Sequence, residues 1–334
     1  MREELKTERL GPADVARAAE LLRGGGTVAF PTETVYGLGA NALDAIAVAK
    51  IFAAKERPNW DPLIVHVADR QILARVAEVS GLPERLIEVF WPGPLTLLLP
   101  RRSAVPDAVT AGRALVGVRM PRHPLALELL RAADLPIAAP SANRFGRTSP
   151  TTAQHVLEDL DGRIDAVLDG GSTDVGVEST VFDPAAGIIY RPGAVTAAML
   201  EAITGTPLQL YIPPAQQGTP ESLPSPGVGI RHYAPRARLV LVASEEEMQE
   251  RLSQFVAVSE RTGVLLPSGW TAPPEAVIFP WANWQNTEAL AQRVFAGLRE
   301  LDAAGVSTIV CPLPAVDGVG AAIRDRLEKA ARKS

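Results

Sequence analysis

The chain has 334 residues, a hydrophobic fraction of 47% and a net charge of −5. That length exceeds what one compact core accommodates and predicts two domains, while no apolar run approaches the length of a membrane span. The acidic balance argues against strong direct nucleic-acid binding over a broad surface. The single cysteine, Cys311, excludes an internal disulfide and suits a cytoplasmic setting, as does a charged Met1-to-Arg9 stretch without the apolar core of a signal peptide. The histidines, His66, His123, His155 and His232, are scattered without metal-ligand spacing, so no metal site is expected on the protein itself.

Pro12 to Leu22 predicts a helix that Gly24-Gly25-Gly26 stops. Thr27 to Phe30 predicts a buried strand. Pro31-Thr32-Glu33-Thr34-Val35-Tyr36-Gly37-Leu38-Gly39-Ala40-Asn41 then reads as a polar loop joining that strand to a helix capped by Asp44. Open α/β sheets hold ligands in loops at strand ends, and glycine lets backbone approach a ligand closely. The helix from Asp44 to Ala54, with Ile46, Val48, Ile51 and Phe52 mostly on one face, runs into Lys55-Glu56-Arg57-Pro58. Two cations so spaced at a helix end can turn toward one anion or complement the helix C-terminus. Leu63 to Val67 is a strand carrying His66. Helices follow at 69–78 and 83–90, then a strand at 95–99. Val116 to Arg119 is a strand ending in a guanidinium fork suited to carboxylate or phosphate.

After a helix at 124–132, the strand Pro136 to Ala139 delivers Ser141-Ala142-Asn143 and Arg144 to Ser149, a run rich in donors and free of carboxylates, as an anion site requires. Ala166 to Leu168 leads to Asp169-Gly170-Gly171, and Val181-Phe182 with Ile188 to Arg191 form a hairpin. Helices and strands alternate irregularly, which predicts a mixed sheet with helices on its faces. Arg57, Arg119, Arg144, Arg147, Arg191 and Arg231 fall in or beside loops, a pattern for gripping a small polyanion in a cleft. Thr206 to Pro235 has no periodicity and reads as a linker. Its end, with Arg231-His232-Tyr233, reads as a docking segment or lid. Beyond it, strands at 239–242, 263–266 and 308–311 alternate with helices at 245–256, 288–304 and 321–333, which predicts a small parallel Rossmann-like sheet without a dinucleotide fingerprint.

Pro31-Thr32-Glu33-Thr34-Val35-Tyr36-Gly37-Leu38-Gly39, Lys55-x-Arg57-Pro58, Pro62-Leu63-Ile64-Val65-His66, Val118-Arg119-x-Pro121, Ser141-Ala142-Asn143, Asp169-Gly170-Gly171 and Glu178-Ser179-Thr180-Val181 occur in that order. Together they resemble the threonylcarbamoyl-AMP synthases, the YrdC-type enzymes, in their long two-domain form. The resemblance implies an α/β fold: an open twisted mixed sheet curved around a cationic cavity over 1–205, a linker or lid over 206–236, and a Rossmann-like domain over 237–334. It implies a nucleotidyltransferase that turns L-threonine, bicarbonate and ATP, with magnesium, into threonylcarbamoyl-AMP and pyrophosphate. The product would pass to a tRNA threonylcarbamoyl transferase complex for modification of adenosine 37. On the same match, Lys55 and Arg57 would carry catalysis, with Arg57 expected at the mouth of the cavity. They would bind ATP with Asp61, Ser141, Asn143, Ser149, Arg191 and Tyr233, while Thr34, His66, Arg119, Ala139 and Ser179 would surround the threonine. Two positions depart from the family pattern: Glu56 where glycine is common, and Asp61 where asparagine is common.

An RNA-binding module with a basic concave surface is the alternative. Binding through phosphates weakens steeply with salt, whereas threonine- and bicarbonate-dependent pyrophosphate release belongs to an enzyme. A carbamoyl-adenylating domain of a hydrogenase-maturation protein would need zinc-finger segments, which one cysteine cannot supply.

Overall fold

A computed structural model describes residues 6–213, 222–228, 232–257 and 260–332; the lid expectation for Arg231 lies outside the described residues. The chain divides into two compact units. The first comprises Met1–Phe145, Pro150–Asp174 and Glu178–Gly229, the second Gly146–Ser149, Val175–Val177 and Ile230–Ser334. Among the described residues no helix is long and apolar enough to cross a membrane.

The first unit opens with β1 (Glu8–Leu10), which the sequence reading missed, and α1 (Val15–Arg23). β2 (Val28–Phe30) does not pass straight to a helix. It turns back antiparallel into β3 (Gly37–Asn41), with Val28 opposite Gly39 and Phe30 opposite Gly37. The Gly-Leu-Gly run looked like loop chemistry, but a Cβ on Gly39 would lie 2.7 Å from Ile137 Cγ2 and 2.8 Å from Phe30 Cε1. The glycine is there to let Phe30 lie against the strand. α2 (Ala45–Lys55) starts where expected: the Asp44 carboxylate accepts from the backbone N–H of Ile46 and Ala47. Val48 and Ile51 are buried as expected, whereas Ile46 is exposed.

Next come β4 (Ile64–His66), α3 (Arg70–Val76), α4 (Leu82–Phe90), β5 (Leu95–Pro100), α5 (Asp107–Thr110), β6 (Leu115–Arg119), α6 (Pro124–Ala133) and β7 (Ile137–Ala138). They are followed by α7 (Ala153–Leu160), capped by Thr152, then β8 (Ala166–Leu168), β9 (Thr180–Asp183) and β10 (Ile188–Arg191). α8 (Ala197–Thr204), also missed, is capped by Thr196, and β11 (Gln209–Leu210) lies within the stretch read as linker. The sheet order is β1-β8-β2-β3-β7-β4-β6-β5-β9-β10-β11. Parallel and antiparallel pairs are interspersed, as the irregular alternation predicted. Both edge strands are short, which limits the unpaired backbone they offer to other chains. From the second half of the linker, Leu223 donates its N–H to Trp60 O (2.9 Å), and Arg113 reaches Ser222 O (2.7 Å), so this stretch belongs to the first unit.

The second unit contains β12 (Arg238–Val242), α9 (Glu245–Ala257), β13 (Thr262–Ser268), β14 (Val277–Asn283), α10 (Thr287–Ala303), β15 (Thr308–Pro312) and α11 (Gly320–Ala330). The order β12-β15-β13-β14 is parallel throughout, as expected. The expected strict alternation fails at β14, which follows β13 without an intervening helix. Its Val-Ile-Phe-Pro-Trp run alternates partly exposed and buried residues and has a proline inside, which hid it as a strand. The two short insertions take their place in this unit through backbone contacts. Arg299 donates to Thr148 O (2.5 Å), Ala234 N–H to Gly146 O (2.8 Å), and Gly176 approaches so closely that a Cβ would sit 2.4 Å from Ala291 O.

Candidate active site

β4 and β6 run parallel with His66 opposite Arg119, so two of the expected threonine residues meet at the carboxyl ends of neighbouring strands. β7 runs antiparallel to β4, and the following Ala139 donates its N–H to Ile64 O (2.8 Å). Burial and the neighbouring Arg119 charge push the His66 imidazole down to about 3, against hydrogen bonding to the backbone at Ile64 and Ile137. His66 is therefore neutral at physiological pH, and its buried Nδ1 has no hydrogen-bond partner. Phe30 sets its ring edge-on to His66 at 5.9 Å.

Arg119 is fixed on three sides. Nε donates to Gly93 O (3.2 Å), NH1 to Thr34 Oγ1 (2.9 Å), and NH2 pairs with Glu33 Oε2 at 2.8 Å. The hydroxyl protons beyond it follow in order. Thr32 Oγ1 donates to Val35 O (2.6 Å), so the 2.8 Å Thr32–Thr34 contact takes its proton from Thr34. Thr34 Oγ1, already accepting from Arg119, can offer a ligand only a lone pair. Glu33 and Thr32 were not among the expected site residues; the signal was their position inside the Pro31-to-Gly39 motif.

The expected phosphate residues gather around the end of α2. Lys55 Nζ donates to Ser141 O (2.5 Å) and to Asn143 O, and Phe145 N–H returns to Lys55 O (2.8 Å), so the helix end and the Ser-Ala-Asn loop are tied together. Arg57 donates to Asp61 O (3.2 Å) and Pro62 O (2.8 Å) and pairs with Asp61 Oδ2 (3.0 Å). Its side chain is only 3% exposed, which corrects the expectation of an open cavity mouth. Asp61 is where family members commonly carry asparagine. Burial raises its carboxyl pKa, opposed by Arg57 first and then by Lys55 and Arg191. Arg57, and after it Lys55 and Arg191, offset the charge that the departure introduces. Arg191 donates Nε to Ser179 O (3.0 Å) and NH2 to Ser179 Oγ (3.2 Å), and buried Thr96 on β5 meets that hydroxyl at 2.8 Å. Thr96, also unforeseen, steadies Ser179 from behind.

Glu56 resolves the other departure. It is the C-cap of α2 at φ 55, ψ 39, a left-handed conformation that favours glycine. This turn sends Arg57 inward and Glu56 outward, where the carboxylate meets Arg144 and Arg163 (2.9 Å). Arg144's hydrogen bond holds the Glu56 carboxyl below its ordinary pKa. Since Glu56 points away from Lys55 and Arg57, Glu56→Gly is expected to relieve backbone strain with unchanged turnover. Glu56→Val, β-branched at positive φ, should lower Tm by several degrees; a differential thermal melt checks the contrast.

Asp169-Gly170-Gly171 supports the first loop. Tyr36 Oη donates to Gly171 O (2.6 Å) and accepts from Gly170 N–H (3.1 Å), and a Cβ on Gly170 would lie 2.7 Å from Pro31 Cγ. Ser149 and Tyr233, both expected at the nucleotide, belong to the second unit. Ser149 O accepts from Arg299 (3.4 Å). Tyr233, at φ 65, stacks on Phe295 (5.8 Å), meets His232 edge-on (4.2 Å) and lies under Arg326 (5.4 Å).

A family model described as "Telomere recombination", covering Sua5, YciO and YrdC proteins, matches residues 20–193. A second, described as "Threonylcarbamoyl-AMP synthase, C-terminal domain", matches 195–332. Over 332 residues the chain is 40% identical to the threonylcarbamoyl-AMP synthase of Pyrococcus abyssi, covering 97% of this chain and 95% of that protein. The chain belongs to the threonylcarbamoyl-AMP synthase family. The Bacillus subtilis family member is 43% identical with the same coverage. The crystal structure of P. abyssi Sua5 complexed with L-threonine superposes with a TM-score of 0.90 at 38% identity, covering 97% of both chains. The family fold therefore extends over both units, and the expected mixed sheet with a second parallel sheet is the fold observed.

Proposed function

We propose that this family member is an L-threonylcarbamoyladenylate synthase, making threonylcarbamoyl-AMP and pyrophosphate from L-threonine, bicarbonate and ATP for N6-threonylcarbamoyladenosine formation in tRNA. The observation that carries the reading is the near-full-length match to proteins of that name, spanning both units. It favours the enzyme over the RNA-binding alternative. The chemistry needs no protein nucleophile: the threonine amine captures CO2 as a carbamate, a carbamate oxygen attacks the α-phosphorus, and pyrophosphate leaves. What the protein must supply is positioning and neutralisation of charge in the transition state.

The residues support those roles. Lys55, Arg57 and Arg191 would face the phosphates, with Asp61, Ser141 and Asn143 completing the first unit's share of the nucleotide site. Arg119 would take the threonine carboxylate, with Thr34, His66, Ala139 and Ser179 around the side chain and amine. The cationic cavity is part of this proposal. Magnesium would arrive with the nucleotide and be held by its phosphates. Asp61 Oδ1, buried without a hydrogen-bond donor, is a side-chain oxygen that could help hold it. Bound there, magnesium would neutralise phosphate charge. The product would go to a tRNA threonylcarbamoyl transferase complex.

Pyrophosphate release, with threonine and bicarbonate omitted in turn, tests the reading: each omission should abolish release, and release independent of threonine would overturn it. The same assay tests amino-acid choice. Thr34 Oγ1 and His66 Nδ1 can both accept from the substrate's hydroxyl, so valine should be used about 10⁴-fold less well than threonine, with serine between them. Equal use of valine would remove the polar pocket from the mechanism.

A further inference from the structure

Glu33 pairs with Arg119 but has been given no role toward the ligand, yet its carboxylate is among the most deeply buried at the site. Its side chain is 1% exposed and that of Arg119 4%, with 2.8 Å between Oε2 and NH2. Neither carboxylate oxygen receives a hydrogen bond. A buried guanidinium meant only to attract a carboxylate would be better left without a competing anion, because a second carboxylate weakens its pull. Retaining the anion therefore has another consequence: it sets the charge of the pocket. Arg119 and Glu33 sum to zero, and His66 next to Arg119 is neutral.

We propose that Glu33, as the counter-charge of Arg119, makes the amino-acid pocket selective for a net-neutral zwitterion over anions of the same shape. The inference rests on the threonine-dependent reading above. A ligand carrying a carboxylate without an ammonium would leave a buried net negative charge beside Glu33; one carrying an ammonium without a carboxylate would leave Arg119 shared with nothing new and a net positive charge. A zwitterionic amino acid closes the balance and engages both charges. Glu33 thus acts before carbamate formation, by selecting the species that enters, and its side chain need not touch the reacting atoms.

The test is calorimetric titration of the full-length protein with a non-hydrolysable ATP analogue present, so that Lys55, Arg57 and Arg191 are engaged with phosphate. The ligands are L-threonine, its 2-hydroxy analogue 2,3-dihydroxybutanoate and threoninamide, with charges of about 0, −1 and +1 at pH 7. Wild type should bind threonine about 100-fold or more tighter than either. In Glu33→Gln the threonine-to-hydroxy-acid ratio should fall about tenfold or more, while affinity for the ATP analogue is unchanged. Glu33→Asp, which keeps the charge, should restore the ratio even if both ligands bind more weakly. Should Glu33→Gln not fold, the wild-type series and Glu33→Asp decide. A wild type that accepts the hydroxy acid as well as threonine, a Glu33→Gln variant with an unchanged ratio, or loss of the ratio in Glu33→Asp would each overturn the proposal. A wild type that binds the ATP analogue but none of the three ligands would instead overturn the threonine-dependent function on which it rests.

Discussion

Arg57→Ala is expected to lower threonylcarbamoyl-AMP formation by about 10³-fold or more and to destabilise the first unit at the same time. Removing a positioned donor from developing phosphate charge costs about 10²–10³ in kcat, and a guanidinium can offer two such donors. The stability loss has a separate cause. Asp61 is buried with its Oδ2 at 3.0 Å from Arg57, and truncating one partner of a buried pair costs about 3–5 kcal/mol because the other charge is left uncompensated. Arg57→Ala combined with Asp61→Asn should recover much of the lost Tm and none of the lost turnover. That separation is the informative result, read from a thermal melt and a pyrophosphate assay on both variants. Restored turnover in the double variant would show that Arg57 serves only to neutralise Asp61.

Gly193→Ala is expected to be nearly as damaging, although it removes no functional group. A Cβ there would lie 2.4 Å from Thr180 N, 2.8 Å from Glu178 O and 2.8 Å from Ser179 C, all backbone atoms without a rotamer to escape by. The Arg191-Pro192-Gly193 loop would have to lift off the 178–180 segment, separating Arg191 from Ser179, whose carbonyl and hydroxyl it holds at 3.0 and 3.2 Å. Overpacking of this kind costs about 1–3 kcal/mol and more when backbone must move. Turnover should fall about tenfold or more, since a misplacement of about 1 Å is felt strongly in a positioned site. Gly112→Ala is the control: its φ of +77 brings strain, but the Cβ meets open space. It should lower Tm slightly and leave turnover alone. Equal kinetic effects from the two substitutions would show that the Gly193 contact does not position Arg191.

The sequence was most informative where a strand ends on a polar side chain. His66, Arg119, Ser141 and Arg191 were all found from an apolar run followed by a donor, and strand pairing brings His66 opposite Arg119. The start of α2 was legible because Asp44 caps locally, within three residues of its partners Ile46 and Ala47. What sequence could not show is fixed by distant contacts. β3 looks like a loop because its glycines answer to Phe30 and Ile137. β1 and β11 are strands only by virtue of pairing with β8 and β10. Glu33 reads as an ordinary loop acid until Arg119, 86 positions later in the sequence, is placed beside it. Arg57 looked exposed because a Lys-x-Arg at a helix end usually is; the left-handed Glu56 turns it inward.

The second unit also has an order in time. Residues 146–149 and 175–177 leave the ribosome among the strands of the first unit, but the groups that hold them come much later: Arg299 is 150 positions beyond Ser149. At about 5–20 residues per second the loop waits roughly 8–30 s for that side chain. During the wait the Arg299 hydrogen bonds to the carbonyls of Thr148 and Ser149 are unmade, and the close fit of Gly176 against Ala291 does not exist. A chain terminated before Ala291 keeps both loops and makes neither of these α10 partners. Translation therefore delivers the first unit's strands early and completes those two loops only when α10 has been made, so a premature stop ahead of α10 would leave marks in the middle of the protein.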